Sequence, residues 1–317
     1  MILRKRNKPL PLQKYEALQA RLPANSEHHP LIERQIEHAT RGYQGELHTD
    51  KYLTIPSTRF TILKDVCLVS DKQTFQIDTI VITPNALYII EVKSLRSNLT
   101  FDTNLDQFIT GSGNRQSGYN HPITQAKAQK LKLQNWLFEH NQPNIPIHIF
   151  IAISDPSTII NVIGDHEKIA NTVTHSENIP WKIIEYEKQY TTNQKYQHQK
   201  IGHVLLRHCK DFDLDILTEQ GILPGQLIPG IRCHHCNHLG MKRVKQSWVC
   251  PSCQYNDRMA AIKGIDEYLL LVKPWVTNKE ILNYLNIDSR YTVSRLLKKH
   301  PRLQYSKRRR RWERIQV

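Results

Sequence analysis

Two acids and an amine converge at the open end of one short hairpin. Asp78 and Glu91 stand on either side of Pro84-Asn85, and Lys93 lies two positions past Glu91. The flanking runs, 75–83 and 86–94, are rich in Ile, Val and Thr, a composition that favours strands. With Pro84 and Asn85 as the loop, Ile80 opposes Ile89, Asp78 opposes Glu91 and Gln76 opposes Lys93. Side chains alternate along a strand, so these residues share one face with Ile82 and Leu87. Opposed Cβ atoms lie roughly 4.5–5.5 Å apart, where two carboxylates repel. A divalent cation between them removes the conflict, and Lys93 adds a fixed positive charge beside it. Carboxylates that hold a hard cation such as Mg2+ (or Mn2+), with an ammonium near a phosphate, are the equipment of phosphodiester hydrolysis. The backbone carbonyl of Val92 is a further candidate ligand. The competing reading is a surface hairpin with a Glu–Lys ion pair.

A second constellation lies downstream. Cys233 and Cys236 form one C-x2-C pair, and Cys250 and Cys253 form another. Four thiolates at this spacing make a closed tetrahedral site for structural Zn2+, with residues 241–249 as the hairpin between the pairs. So short a ribbon buries little apolar surface, which makes the metal its folding driver. Lys242, Arg243 and Lys245 on this ribbon, beside Trp248, are candidate nucleic-acid contacts.

The charge balance points the same way. The chain of 317 residues carries a formal net charge of +15. Residues 230–317 hold 19 Lys and Arg against 6 Asp and Glu, a net of +13, and the rest of the chain only +2. A basic module of this kind suits a polyanion, nucleic acid foremost. Within it, helices at 278–285 and 291–299 joined by a polar turn fit a helix-turn-helix, with Arg290, Arg295, Lys298 and Lys299 facing phosphate. The stretch 303–317 reads as two strands around the basic tip Lys307, Arg308, Arg309, Arg310 and Arg311, similar to the wing of a winged helix. A disordered basic tail is the alternative.

The elements that must position these groups follow from the pattern of apolar residues. Helical pieces are expected at 31–39 and 45–53, a strand at 60–69, then the hairpin, then two short strands or a loop over 95–119. A helix over 123–140 and a strand over 147–153 complete a compact α/β domain, one sheet with helices on both sides. Residues 223–230 read as a linker. The expected segments are an N-terminal helical extension (1–39), the α/β domain (40–222), the zinc ribbon (223–258) and the basic module (259–317). No apolar run reaches the roughly 18–20 residues of a membrane span, and no secretion signal is evident, so a cytoplasmic protein without membrane partners is expected.

Gly42-Tyr-Gln-Gly-Glu46, Gln76-Ile-Asp78, Tyr88-Ile-Ile-Glu-Val-Lys93 and His121-Pro122 leading to Gln125 together resemble the nuclease-related domain (NERD) family. That family is a branch of the PD-(D/E)xK restriction-endonuclease-like superfamily, and the resemblance spans roughly residues 40–155. It implies a restriction-endonuclease-like mixed sheet flanked by helices, with Asp78 and Glu91 holding Mg2+ and Lys93 as the catalytic lysine. It further implies that Glu46 is an acid within reach of the metal or its water, and that Gln125 orients water or touches substrate. For Glu46 the alternative is a carboxylate favoured by a helix N-terminus. The resulting expectation is a metal-dependent deoxyribonuclease acting on duplex DNA. The alternatives are a non-cleaving DNA-binding or regulatory protein with a nuclease-like core, and an RNA-processing nuclease.

Overall fold

The computed structural model describes residues 1–54, 59–191 and 195–315. In chain order the first half runs β1 (Ile2–Arg4), α1 (Leu10–Gln19), α2 (His29–Tyr52), β2 (Thr61–Ser70), β3 (Gln73–Ile82), β4 (Leu87–Lys93), β5 (Leu99–Asp102), β6 (Gln107–Thr110) and β7 (Ser117–Tyr119). Next come α3 (Pro122–Glu139), β8 (Ile147–Ile153), β9 (Ile160–Ile163), α4 (His166–Thr172), β10 (Val173–His175), α5 (Ile179–Lys188), α6 (His198–His208) and α7 (Ile216–Glu219). The remainder is β11 (Lys242–Val244), β12 (Ser247–Val249), β13 (Asn256–Asp257), α8 (Ala260–Leu271), β14 (Trp275–Val276), α9 (Asn278–Leu285), α10 (Arg290–Lys299), β15 (Leu303–Ser306) and β16 (Arg311–Arg314). Two compact units result. One comprises Met1–Pro9 with Ala39–Phe212, the other Leu10–His38 with Asp213–Val317. Among the described residues no helix is long and apolar enough to cross a membrane.

The first unit is built on a mixed six-stranded sheet in the order β1-β2-β3-β4-β8-β10. Its central hairpin has the expected register, Ile80 opposite Ile89 and Ile82 opposite Leu87, closed by the Thr83 N–H donating to the Ala86 carbonyl. From β4 the sheet continues through parallel β8 and β10. Alternation along β4 explains its two cores. Leu87 and Ile89 pack with Leu133, Trp136 and Leu137 of α3 and with Leu205 of α6. Tyr88, Ile90 and Val92 pack on the opposite face with Ile179 and Ile183 of α5 and with Leu53. Both faces are covered, and the strands are correspondingly apolar throughout.

Three expectations change here. The pieces expected at 31–39 and 45–53 form one 24-residue helix, α2, which ends at Tyr52, because Gly42 and Gly45 sit inside it without breaking it. The 95–119 stretch forms β5, β6 and β7, which join β9 in a second sheet of order β7-β6-β5-β9. Gln76 does not share a face with Lys93. Phe75 and Ile77 pack into the same core as Ile80 and Ile82, so the alternation slips by one between 77 and 80. The slip occurs where Asp65 and Asp78 drop out of the β2–β3 ladder, with Asp65 at a positive φ of 54°. Gln76 instead donates to Asp65 Oδ1 at 2.6 Å.

In the second unit, α1, α7, the cysteine ribbon and α8–α10 share one core that includes Leu18, Leu217, Cys233, Trp248, Ile265 and Leu297. The ribbon therefore buries apolar surface against helices, contrary to the expectation that so short a piece buries little. Trp248 is buried there instead of facing a ligand. Residues 223–230 are no free linker either. Arg21 donates to the carbonyls of Ile228 and Gly230, and the Gly230 N–H donates to the Tyr284 carbonyl. The sheet β14-β16-β15 is antiparallel, and its β15–β16 hairpin carries the basic tip. Gln316 and Val317, the end of that expected strand pair, lie outside the described residues.

Candidate functional site

The acidic cluster sits where the β3–β4 ladder ends. Its last pair is Thr79 with Ile90, and beyond it the Asp78 side chain takes over the pairing. Asp78 Oδ2 accepts from the Val92 N–H at 2.7 Å. Glu91, 3% exposed, is held from two sides. Lys93 Nζ donates to Glu91 Oε1 at 2.7 Å, and Gln129 Nε2 donates to Glu91 Oε2 at 2.8 Å. Lys93 Nζ also donates to Gln125 Oε1 at 2.9 Å, which fixes the ammonium between strand and helix. Gln125 and Gln129 are four apart on α3 and so project from one side of it. The start of α3 is set by His121, whose ring lies edge-on to Phe101 and Phe108 and whose carbonyl accepts from the Gln125 N–H.

Glu46 reaches the same spot from α2. The helix approaches so closely that a Cβ on Gly45 would lie 2.5 Å from Ser94 Cβ and 2.7 Å from Ser154 Oγ. Those serines directly follow β4 and β8, so the absent side chain at Gly45 is what lets the helix rest on the strand ends. Glu46 lies in the interior of α2, 17 residues after its first residue and six before its last, away from the helix N-terminus that would favour a carboxylate. Its alternative reading as a helix N-terminal acid is thereby removed.

What offsets its charge is a residue that the sequence reading does not single out. Arg6, 2% exposed at its side chain, donates to Glu46 Oε2 at 2.6 Å and to Asp50 through two nitrogens. The same guanidinium donates to the Asp78 carbonyl at 2.8 Å and to Thr79 Oγ1 at 2.9 Å. Gln129 is a second such residue, although its spacing from Gln125 is a signal. Arg6 has none, because its arrival depends on β1 pairing with β2.

The cluster carries more negative charge than its cations neutralise. Burial, with Glu91 and Glu46 nearby, pushes the Asp78 carboxyl well above the usual range, against the Val92 N–H and Arg6. Burial pushes Glu46 up to about 7; Arg6 opposes the shift, and Asp65, Asp50 and Glu91 add to it. Once ionised, carboxylate oxygens of this kind are the donors that Mg2+ or Mn2+ takes. The Gln129 Oε1 atom, buried without a hydrogen-bond partner among the described residues, leaves an acceptor beside Glu91 for a water.

The four cysteines come together as their spacing requires. Cys233, Cys236, Cys250 and Cys253 place their sulfurs within 4.8 Å of one another, a set able to hold a metal ion. Each C-x2-C pair ends in a left-handed residue, Asn237 (φ 62°) and Gln254 (φ 60°), which turns the chain back around the sulfurs. The Asn237 N–H donates to the Cys233 carbonyl and the Gln254 N–H to the Cys250 carbonyl. All four positions are filled by thiols, which fits a structural role for Zn2+. The remaining cysteines, Cys67 and Cys209, stand apart from this cluster.

The basic candidates lie at the surface of the second unit. Lys242, Arg243 and Lys245 are exposed on the β11–β12 hairpin, Arg290, Arg295, Lys298 and Lys299 on α10, and Lys307, Arg308, Arg309 and Arg310 at the hairpin tip. Arg311 is half-buried instead, with its guanidinium 4.3 Å from the Trp275 ring centre and its Nε bonded to Glu313.

A mixed α/β core with acids and a lysine gathered where the pairing of two strands ends is an arrangement suited to metal-dependent phosphodiester chemistry. Residues 41–154 match the NERD family model, described as a nuclease-related domain. No curated protein and no solved structure matches the chain.

Proposed function

We propose that the protein is a Mg2+-dependent nuclease that hydrolyses DNA phosphodiester bonds, with the zinc ribbon and a winged-helix-like basic module holding the nucleic acid. The observation that carries this reading is the fixed group of Asp78, Glu91 and Lys93 where the β3–β4 pairing ends, inside the matched segment. Asp78 and Glu91 would hold the cation, with the Val92 carbonyl as a candidate third ligand. When bound, the cation would polarise the phosphate and lower the pKa of a water. Lys93 supplies a positive charge for the oxyanion that develops on phosphorus. Gln125 keeps that ammonium aimed, Gln129 keeps Glu91 in place, and Glu46 stands as a further acid for the attacking water. An intracellular compartment fits four reduced cysteines at a zinc centre.

The test is direct. Supercoiled DNA is incubated with Mg2+ and wild-type protein, Glu91→Ala or Lys93→Ala. Cleavage by the wild type that both variants lose supports the enzyme. Wild-type protein that shifts DNA in a gel but never cuts it identifies a binding or regulatory protein, and selective cleavage of RNA identifies a processing enzyme.

A further inference from the structure

The acids of the C-terminal segment are almost all engaged. Asp257 pairs with Lys263, Asp266 with Arg302, Glu267 with Arg21 and Arg232, Glu280 with Lys273, and Glu313 with Arg309 and Arg311. Of these acids only Glu267 is buried, and together the pairs leave other cations unneutralised. Arg243 and Lys242 on the ribbon, and Arg295, Lys298 and Lys299 on α10, have no acidic partner among the described residues.

Helix α10 is sharply two-sided. Thr292, Val293 and Leu297 are buried. The opposite stripe is Tyr291, Arg295 and Lys298–Lys299, at the i, i+4 and i+7 spacing of one helix face. Tyr291 is 78% exposed, a large aromatic side chain with no ring partner among the described residues. The core makes no use of it, yet it sits in the first turn among cations. The ribbon is braced against this same turn. Arg243 Nη1 donates to Thr292 Oγ1 at 2.9 Å, and a cavity of about 250 Å3 lies between the hairpin and the α9–α10 turn.

Unpaired cations alone would grip phosphates without regard to sequence. An exposed aromatic and an arginine side by side on one helix face add the means to discriminate. Arginine can make paired hydrogen bonds to a guanine edge, and a tyrosine ring can cover a thymine methyl group. A helix of ten residues is about 15 Å long, and the major groove, about 12 Å wide, admits it.

We propose that the Tyr291–Arg295 face of α10 reads base edges in a duplex groove, while the ribbon hairpin and the 307–310 tip hold the flanking phosphates. This rests on the nucleic-acid reading above and adds sequence discrimination to it. The binding surface is then one continuous unit, with the Arg243–Thr292 contact fixing the ribbon beside the reading helix.

The experiment uses the full chain loaded with zinc, in buffer without added magnesium. A randomised duplex pool is enriched on the protein, and the selected duplex is compared with a scrambled one by fluorescence anisotropy. The wild type should prefer the selected duplex at least tenfold. Tyr291→Ala and Arg295→Ala should each reduce that preference to less than threefold, with the wild-type melting temperature retained because both side chains are exposed. Lys298→Ala should weaken both duplexes alike. Tight binding of both duplexes by the wild type without preference overturns the base-reading role and leaves the nucleic-acid reading standing. A preference that survives both variants also overturns it. Failure to bind any duplex, or binding only to anionic vesicles, overturns the duplex-DNA reading and this inference with it.

Discussion

Gly45→Ala is a one-carbon test of how α2 delivers Glu46. The added Cβ would meet Ser94 Cβ at 2.5 Å, Ser154 Oγ at 2.7 Å and Ser94 Oγ at 2.8 Å. Ser94 Cβ is fixed to the backbone at the end of β4, so the helix must yield by roughly 1 Å to reach ordinary contact. Alanine favours the helix by about 1 kcal/mol over glycine, and overpacking costs about 1–3 kcal/mol. The net loss of stability is therefore only about 0–2 kcal/mol. Activity should suffer far more, because a 1 Å misplacement of a catalytic group costs about 100-fold. Gly42→Ala is the matched control, since its Cβ meets nothing within 4 Å. It should stabilise the helix by about 0.5–1 kcal/mol and leave cleavage unchanged. Chemical denaturation and plasmid cleavage rates measure both effects. Adding both Ser94→Gly and Ser154→Ala to Gly45→Ala removes all three of these atoms and should restore most of the rate. A Gly45→Ala protein that cuts like wild type would refute the close-approach argument, as would equal damage from Gly42→Ala.

Arg6→Gln should cost about 3–5 kcal/mol, the usual penalty for stranding buried acids, and a urea midpoint equal to wild type would contradict the role given to Arg6. The pH dependence of the metal-free protein follows from Glu46, whose native pKa is raised from 4.5 to about 7. The native state then keeps a proton that the unfolded chain releases, so stability falls by about 1–3 kcal/mol as pH rises from about 4.5 to about 7. Glu46→Gln should flatten that slope in thermal melts, and an unchanged slope would assign it elsewhere. One equivalent of zinc should be released by denaturation with a metallochromic dye. Cys250→Ser should lose that zinc and destabilise the unit whose core includes Cys233 and Cys250; full zinc retention in the variant would rule out this ligand set.

What the sequence makes legible is local. The Pro84-Asn85 turn sets the hairpin register, and the register brings Asp78, Glu91 and Lys93 to one end of it. The cysteine spacing carries its own geometry. Simple alternation misplaces Gln76 because the slip at Asp65 and Asp78 depends on a positive φ that nothing at a non-glycine position announces. The long helix α2 reads as two pieces because its glycines look like breaks, whereas Gly45 serves a contact with serines about 50 and 110 residues away in sequence. Short strands such as β5, β6 and β7 hold too few residues for a periodicity to show. Arg6 and the shared core of ribbon and helices come from pairings between distant segments, which composition and spacing do not encode.

The claim on which the rest depends is a cation held by Asp78 and Glu91 beside Lys93. Crystals soaked in Mn2+ and measured at the manganese edge test it directly. An anomalous peak in contact with both carboxylates is expected, lost in Asp78→Asn. An Asp78–Glu91 end without such a peak at saturating Mn2+, in crystals where the ion binds elsewhere, would contradict it.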